Sequence, residues 1–513
     1  MANTKLPSTF YNLLSLIGAG LALFGAAAML ILYVLDTFGT QSNPYLGIFI
    51  FVIFPGLLFL GLLLIPIGMR IENRRRQRGQ TAPIIVDLGK TSHRNALVVF
   101  VVGTSIFLLL TTLGLYGGYE YTESVEFCGE VCHQVMEPEF VAFQNSAHAK
   151  VACVHCHIGE GVDWYVKSKL SGARQVFKTA LNTYPRPIET PIVNLRPARE
   201  ICEECHWPGK YFASKEEVWD YYMSDEENSH YQLRVLMHIG GVAGHGEPTG
   251  SHWHVSADNH MTYVAKDGER EEFEQVTWYE NGEPVVYSKT GKALPDSVMA
   301  QKEADGLVRV MDCIDCHTRP AHNYRSPLHT VNDALSDGRI DPGIPWIKRA
   351  AVTALSQEYF TSEGARDSIR AGITEYYDEK GLEAPEKAIE VIQDIYENNY
   401  FPHMRVRWDR YPDHIGHMIF TGCFRCHGSE LETADGRTIP NECNTCHTIV
   451  AQGFTPLVEN TIALGGLDFV HPVDIDGAER EMPCTDCHVG DDSNFPDEAD
   501  AGDLQKAEVV DED

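Results

Sequence analysis

All 14 cysteines of this 513-residue chain fall into seven pairs, and a histidine follows the second cysteine of every pair. Six pairs have the spacing C-x-x-C-H: Cys153, Cys156 and His157; Cys202, Cys205 and His206; Cys313, Cys316 and His317; Cys423, Cys426 and His427; Cys443, Cys446 and His447; Cys484, Cys487 and His488. The first pair, Cys128 and Cys132 with His133, is one residue wider. This is the spacing of covalent c-type haem attachment, in which two thiols add to the vinyl groups of one porphyrin and the adjacent histidine becomes an axial ligand of its iron. Zinc ribbons also pair cysteines at this distance, but tetrahedral zinc binding does not call for a histidine after every second cysteine. No thiol remains for a disulfide, a nucleophile or a separate zinc site. Seven haems c are therefore predicted, with much of the interior built from porphyrin rather than side chains.

The first 118 residues are of another kind. Leu13 to Leu35, Tyr45 to Met69 and Leu97 to Tyr116 are uncharged apolar runs, and each reaches the roughly 20 residues needed to cross a bilayer. Between the second and third lie Arg70, Arg74, Arg75, Arg76, Arg78, Lys90 and Arg94, whereas Asp36 to Pro44 has no basic residue. The positive-inside rule then places the N-terminus and the basic loop in the cytoplasm and everything after Tyr116 outside, where c-type haem is attached. A cleaved signal peptide competes for the first run; its single early Lys5, its length and its lack of a small-residue exit argue against that. The expected location is a bacterial inner membrane, with several passes and a periplasmic haem domain. A formal charge of -31 disfavours nucleic acid and favours a basic partner.

The expected fold is three N-terminal transmembrane α-helices followed by a mostly α or irregular multihaem cytochrome c domain with a small β-hairpin insertion. The expected divisions are a membrane anchor over 1–118, a first haem region over 119–260 with three motifs, the β insertion over 261–300, a second haem region over 301–490 with four motifs, and an acidic disordered tail over 491–513. In the insertion, Asp267-Gly268 and Asn281-Gly282 mark the turns of two hairpins. Pro345 to Phe360 and Pro385 to Tyr400 have helical periodicity.

A haem whose iron is held from both faces only carries electrons, whereas one with an open face can do chemistry on a bound molecule. Fourteen histidines beyond the membrane runs and outside the motifs suffice in number to close every face. Met136, three residues after His133, is the expected second ligand of the first haem. His148, His322, His417 and His471 are expected for others, from their placement beside or between motifs. In Gly250-Ser251-His252-Trp253-His254-Val255 the two histidines alternate along an expected strand, so only one should face a given haem, the third or the fourth; His254 is the expected ligand. His230 completes the set. The stretch Lys167 to Leu181 has helical composition and carries Lys167, Lys169, Arg174 and Lys178. It reads either as a solvated basic face at lipid headgroups or as a contact for a polar quinol head.

From Leu97 to Pro208 the chain resembles the NapC/NirT family of membrane-anchored quinol dehydrogenases. The matching elements are a membrane helix, a first haem motif, a nearby methionine, Ser146-Ala147-His148, the motif at Cys153, a lysine-bearing segment, and RPAREICEECHWP from Arg196. Over its whole length it is similar to inner-membrane seven-haem cytochromes of metal-respiring bacteria. The resemblance implies menaquinol as electron donor, Lys167 or Lys169 at the quinol head beside Met136 and the first haem, and basic periplasmic multihaem cytochromes as acceptors. Two spacings differ from the family's: the first motif and its distance to methionine are each longer by one. The family also sets an acidic residue seven positions after the quinol lysine. Arg174 stands there when counting from Lys167, which leaves Asp163 or Glu160 for that role, or no acid at all. A nitrite-type terminal reductase with one open haem, and a bridging subunit that only carries electrons, are the competing functions.

Overall fold

The computed structural model describes residues 8–38, 53–79, 89, 91–159, 161–190, 196–207, 213–240, 250–256, 259–280, 282–493 and 495–496. Expectations that rest on residues 39–52, Lys90, Glu160, Asn281, the His133 side chain and the tail beyond 496 fall outside the described residues. The chain divides into two compact units, Met1–Ser124 with His157–Arg174, and Val125–Cys156 with Gln175–Asp513.

The first unit is helical, with α1 over Leu13–Phe38, α2 over Phe54–Gln77 and α3 over Thr91–Thr122. α2 is long and apolar enough to cross a membrane, and Leu13–Met29 of α1 is a shorter apolar stretch. Small residues line the α1–α2 contact. A Cβ on Gly18 would sit 2.6 Å from the Gly61 carbonyl oxygen, one on Gly61 2.5 Å from the Ala22 nitrogen, and one on Gly68 2.5 Å from Ser15 Oγ. Such close backbone approach is how helices associate where lipid removes the hydrophobic drive between them. Ser15 Oγ donates to the Ile65 carbonyl at 2.9 Å, a polar link between the two helices. The outward side chains of α2, including Phe59, Leu62, Leu63 and Ile67, are apolar and exposed. α2 runs past Met69 to Gln77 because Arg and Gln are good helix formers; Glu72 meets Arg76 at 3.0 Å one turn on.

The second unit is mostly helical and irregular, with two antiparallel sheets. One sheet has the order β1 (Ala213–Tyr222), β2 (His230–Gly240), β7 (His447–Phe454), β8 (Glu459–Asn460). The other has the order β5 (Glu283–Ser288), β4 (Phe273–Glu280), β3 (Met261–Ala265), β6 (Val308–Val310). Thus the two expected hairpins share β4 as one meander, and β6 closes its far edge. The β1-β2-β7-β8 sheet was not legible in the sequence: β2 pairs with β7 across more than 200 residues, and no local turn announces such a partner. It joins strands from the two haem-bearing stretches that the sequence reading kept apart.

Between the fourth and fifth motifs four helices, α7 (Pro327–Ser336), α8 (Ile347–Ser356), α9 (Ser362–Glu379) and α10 (Glu386–Asn399), form a side-chain core. Their predecessors in chain order are α4 (His133–Gln144), α5 (Val162–Ala180) and α6 (Ala198–Cys202). α9 is polar except for buried Ala365, Ile369, Ile373 and Tyr377, a stripe at four-residue spacing that is narrow but sufficient to seat it. Among the described residues this is the larger of two buried hydrophobic clusters, the other lying on the β3–β4 sheet.

Candidate functional site

Each regular motif is built on a helical turn. The amides of His206, His317, His427, His447 and His488 donate to the carbonyl of the first cysteine of their own motif. This closes both cysteines and the histidine into one local loop. The wide first motif solves its extra residue differently: Phe127–Val131 is a π-helical turn, and a π-turn absorbs one inserted residue within a helix. Gly129 lies under the Phe140 ring, which a Cβ there would strike. Gly129→Ala is therefore expected to cost about 1–3 kcal/mol from overpacking and to lower porphyrin loading at Cys128 and Cys132. Peptide mass mapping checks this, and full loading with an unchanged melt would refute it.

Neighbouring motifs touch. Cys153 lies within hydrogen-bond reach of Cys128, and Cys202 within reach of Cys313. Asp312 accepts from the Ala198 amide of α6 at 3.1 Å, and Tyr263 of β3 donates to buried Asp315 at 2.6 Å, so sheet and helix both grip the fourth motif. Burial holds the Asp315 carboxyl above its ordinary value.

The decisive geometry lies in the histidines. His148 faces His206 with ring centres 6.0 Å apart, His252 faces His317 at 6.3 Å, His254 faces His427 at 5.9 Å, His417 faces His447 at 6.2 Å and His471 faces His488 at 6.0 Å. Two metal–nitrogen bonds of about 2 Å, with roughly 1 Å more from each nitrogen to its ring centre, put the rings of a doubly ligated metal about 6 Å apart. Parallel rings such as His252 and His317, inclined by 7°, are too distant to be in stacking contact. The residues present therefore fit a six-coordinate haem iron at the third to seventh motifs.

The outer nitrogens agree. Nδ1 meets a backbone carbonyl in His148 (Pro320, 3.1 Å), His252 (Ile239, 3.0 Å) and His254 (Ser251, 2.8 Å). A carbonyl only accepts, so Nδ1 carries the proton and Nε2 keeps its lone pair for a metal. His322 has the same arrangement, with Nδ1 2.9 Å from the Glu139 carbonyl. Burial lowers the His252, His254, His317, His417 and His488 imidazoles, and pulls His447 to about 4. All thus favour the neutral, ligating form.

Two expectations change. His252 and His254 lie on a 3₁₀ turn, Ser251–Val255, rather than a strand, and both rings meet motif histidines. His230 meets none among the described contacts: Nε2 is 2.7 Å from Asp220 Oδ1, Nδ1 is 3.1 Å from Thr455 Oγ1, and the ring stacks on Tyr222 at 4.8 Å. The reason is register, since the β1–β2 ladder sets His230 opposite Tyr222. Met136 is half-buried on α4, one turn beyond His133.

In the first unit, the last residues after α3 meet α5. Lys169 is ion-paired with Glu123, and its Nζ lies 5.2 Å from the Tyr165 ring centre and 6.0 Å from that of Tyr119. Glu123 Oε2 is buried with no hydrogen-bond partner among the described residues. Burial, and then Glu123, raise the Tyr165 phenol. Lys167 instead rests at the surface, 4.4 Å over the Trp164 ring. The acid beside the lysine is thus Glu123, which precedes the first motif, and neither Asp163 nor the expected position after the lysine supplies it.

A chain whose every cysteine sits in a haem-attachment turn, with paired histidines poised across the motifs, defines a multihaem c-type cytochrome. A model of the NapC/NirT cytochrome c family, N-terminal region, matches residues 90–190. The chain is also 40% identical over 501 residues, 95% of its length and 97% of the relative's, to the cytochrome c-type protein ImcH of Geobacter sulfurreducens. It belongs to this membrane-anchored, haem c-binding electron-transfer family. No solved structure matches it.

Proposed function

We propose that the protein is an inner-membrane quinol dehydrogenase that oxidises menaquinol and sends the electrons through seven haems c to basic periplasmic cytochromes. The observation that supports this reading is that five motif histidines each face a second imidazole with ring centres 5.9–6.3 Å apart. Haems ligated on both faces relay electrons, which leaves substrate chemistry to the membrane-proximal end and weighs against the nitrite-type reductase. α1, α2 and α3 serve as three spans, with the arginines at the end of α2 on the cytoplasmic side.

Haem c supplies one-electron storage and transfer when bound. The residues that would hold it are the 14 cysteines and seven motif histidines, with Met136, His322 and the five paired imidazoles as further ligands. The chain's own task at the quinol is binding and proton handling. Lys169 Nζ orients one hydroxyl of the head group, the buried Glu123 oxygen takes that hydroxyl's proton, and the other hydroxyl's proton passes to water outside, as the quinol gives up two electrons. The Tyr119 and Tyr165 rings form an apolar wall beside them. The acidic surface, with the tail from Asp491, steers a lysine-rich acceptor at a salt-sensitive rate. The purified protein is expected to be reduced by a menaquinol analogue and to carry seven porphyrins by mass. A spectrum that stays ferric with excess quinol would remove the proposal.

A further inference from the structure

The turn Ser251–Val255 holds two imidazoles that serve different motifs. Gly250 enters it at φ +83, and a Cβ there would meet the backbone of His238 and Ile239, so the turn lies flat on the end of β2. Ser251 Oγ donates to the His238 carbonyl at 3.2 Å, and His252 Nδ1 to the Ile239 carbonyl at 3.0 Å. Arg199 of α6 donates to the Val255 carbonyl, and Asn259 to the Trp253 carbonyl at 2.6 Å. Trp253 packs edge-on against Trp278 of β4 with ring centres 5.2 Å apart. The turn is therefore fastened to one sheet, to the other sheet and to the helix of the third motif.

With three residues per turn, side chains two apart on a 3₁₀ helix leave it in directions about 120° apart. His252 accordingly reaches His317 and His254 reaches His427. These belong to the fourth and fifth motifs, which the helical core of α7–α10 separates in sequence. A second clasp supports the juxtaposition: Arg425, inside the fifth motif, donates to the carbonyl of Asp315, inside the fourth, and to that of Arg270 at 3.0 Å.

We infer that Ser251–Val255 is the joint of the electron path, one turn supplying the sixth ligand of both the fourth haem (His252) and the fifth (His254). It fixes the two groups side by side although 105 residues lie between the two motifs. The inference rests on the reading that Cys313–His317 and Cys423–His427 hold haem.

The test uses the full-length, membrane-extracted protein and its His252→Ala, His254→Ala and double variants. After porphyrins have been counted by mass, ferrous protein is titrated with carbon monoxide. Each single variant is expected to bind one carbon monoxide more than wild type, and the double variant two more; His260→Ala, a nearby histidine on the Tyr279 ring, adds none. Added imidazole should reverse the gain. Carbon monoxide binding that stays at the wild-type level in a single variant with its full porphyrin count overturns the assignment. If alanine lowers the porphyrin count, His252→Met and His254→Met decide: each is expected to produce one iron–thioether charge-transfer band, and no band overturns the assignment. Absence of porphyrin from Cys313 or Cys423 in the wild-type protein would instead remove the cytochrome reading at those motifs, a separate failure.

Discussion

Lys169→Met is expected to cut menaquinol oxidation by roughly 10–100-fold while dithionite still reduces every haem. The range follows from losing one charge-assisted hydrogen bond to substrate, worth about 1.5–3 kcal/mol. The loss is deepened because Glu123, at 10% exposure, would keep a buried carboxylate with no counter-ion. Glu123→Gln keeps the shape and removes the proton acceptor. Its expected signature is a fall in kcat larger than any rise in KM, together with loss of the acidic limb of the pH–rate profile. Lys167→Met takes away a surface lysine lying on Trp164, and a loss under about threefold is expected, the size of an exposed cation–π contact. Stopped-flow reduction by a menaquinol analogue measures all three. Wild-type rates in both Lys169→Met and Glu123→Gln would place the quinol elsewhere.

The stability of the α7–α10 core is expected to rise steeply as pH climbs from about 7 to 10, contrary to the usual alkaline loss. Lys348 is 1% exposed, and burial pulls its ammonium down to about 7, with Asp333 partly opposing that shift. Its Nζ donates to the Leu328 carbonyl at 3.0 Å and to Asn332 Oδ1 at 2.5 Å. In the unfolded chain the same group titrates near 10.4. Between the two values the unfolded state binds more protons than the folded one, so stability increases with pH there. Below pH 7 the full cost of stripping the proton or burying the charge applies. The span corresponds to roughly 3–5 kcal/mol at its limit. Native-state hydrogen exchange of α8 amides, corrected for intrinsic rates, reads it out. Lys348→Met should flatten the dependence, and an identical slope in variant and wild type would show that another group is responsible.

Haem attachment was legible in the sequence because its chemistry is local: two thiols and one imidazole within a single turn. So were the apolar helices, the turns at Asp267-Gly268 and Gly282, and α8 and α10, whose apolar stripes recur within a few residues. His148, His417 and His471 could be found from their nearness to a motif. His254 was chosen on an expected strand, where alternation seemed to allow only one of His252 and His254 to face a given haem. A 3₁₀ turn sends both inward to different partners. His230 looked equally eligible until strand register gave its nitrogens to Asp220 and Thr455.

By itself the sequence determined the haem c cofactor and the family, since each shows in residues adjacent in the chain. Only the tertiary structure decided which imidazole faces which motif, that Glu123 rather than a residue of α5 pairs with Lys169, and that β2 pairs with β7. The physical reason is that those choices are made between segments remote in sequence. There, sheet register and helix packing, rather than local propensity, set the few ångströms that separate a metal ligand from a surface histidine.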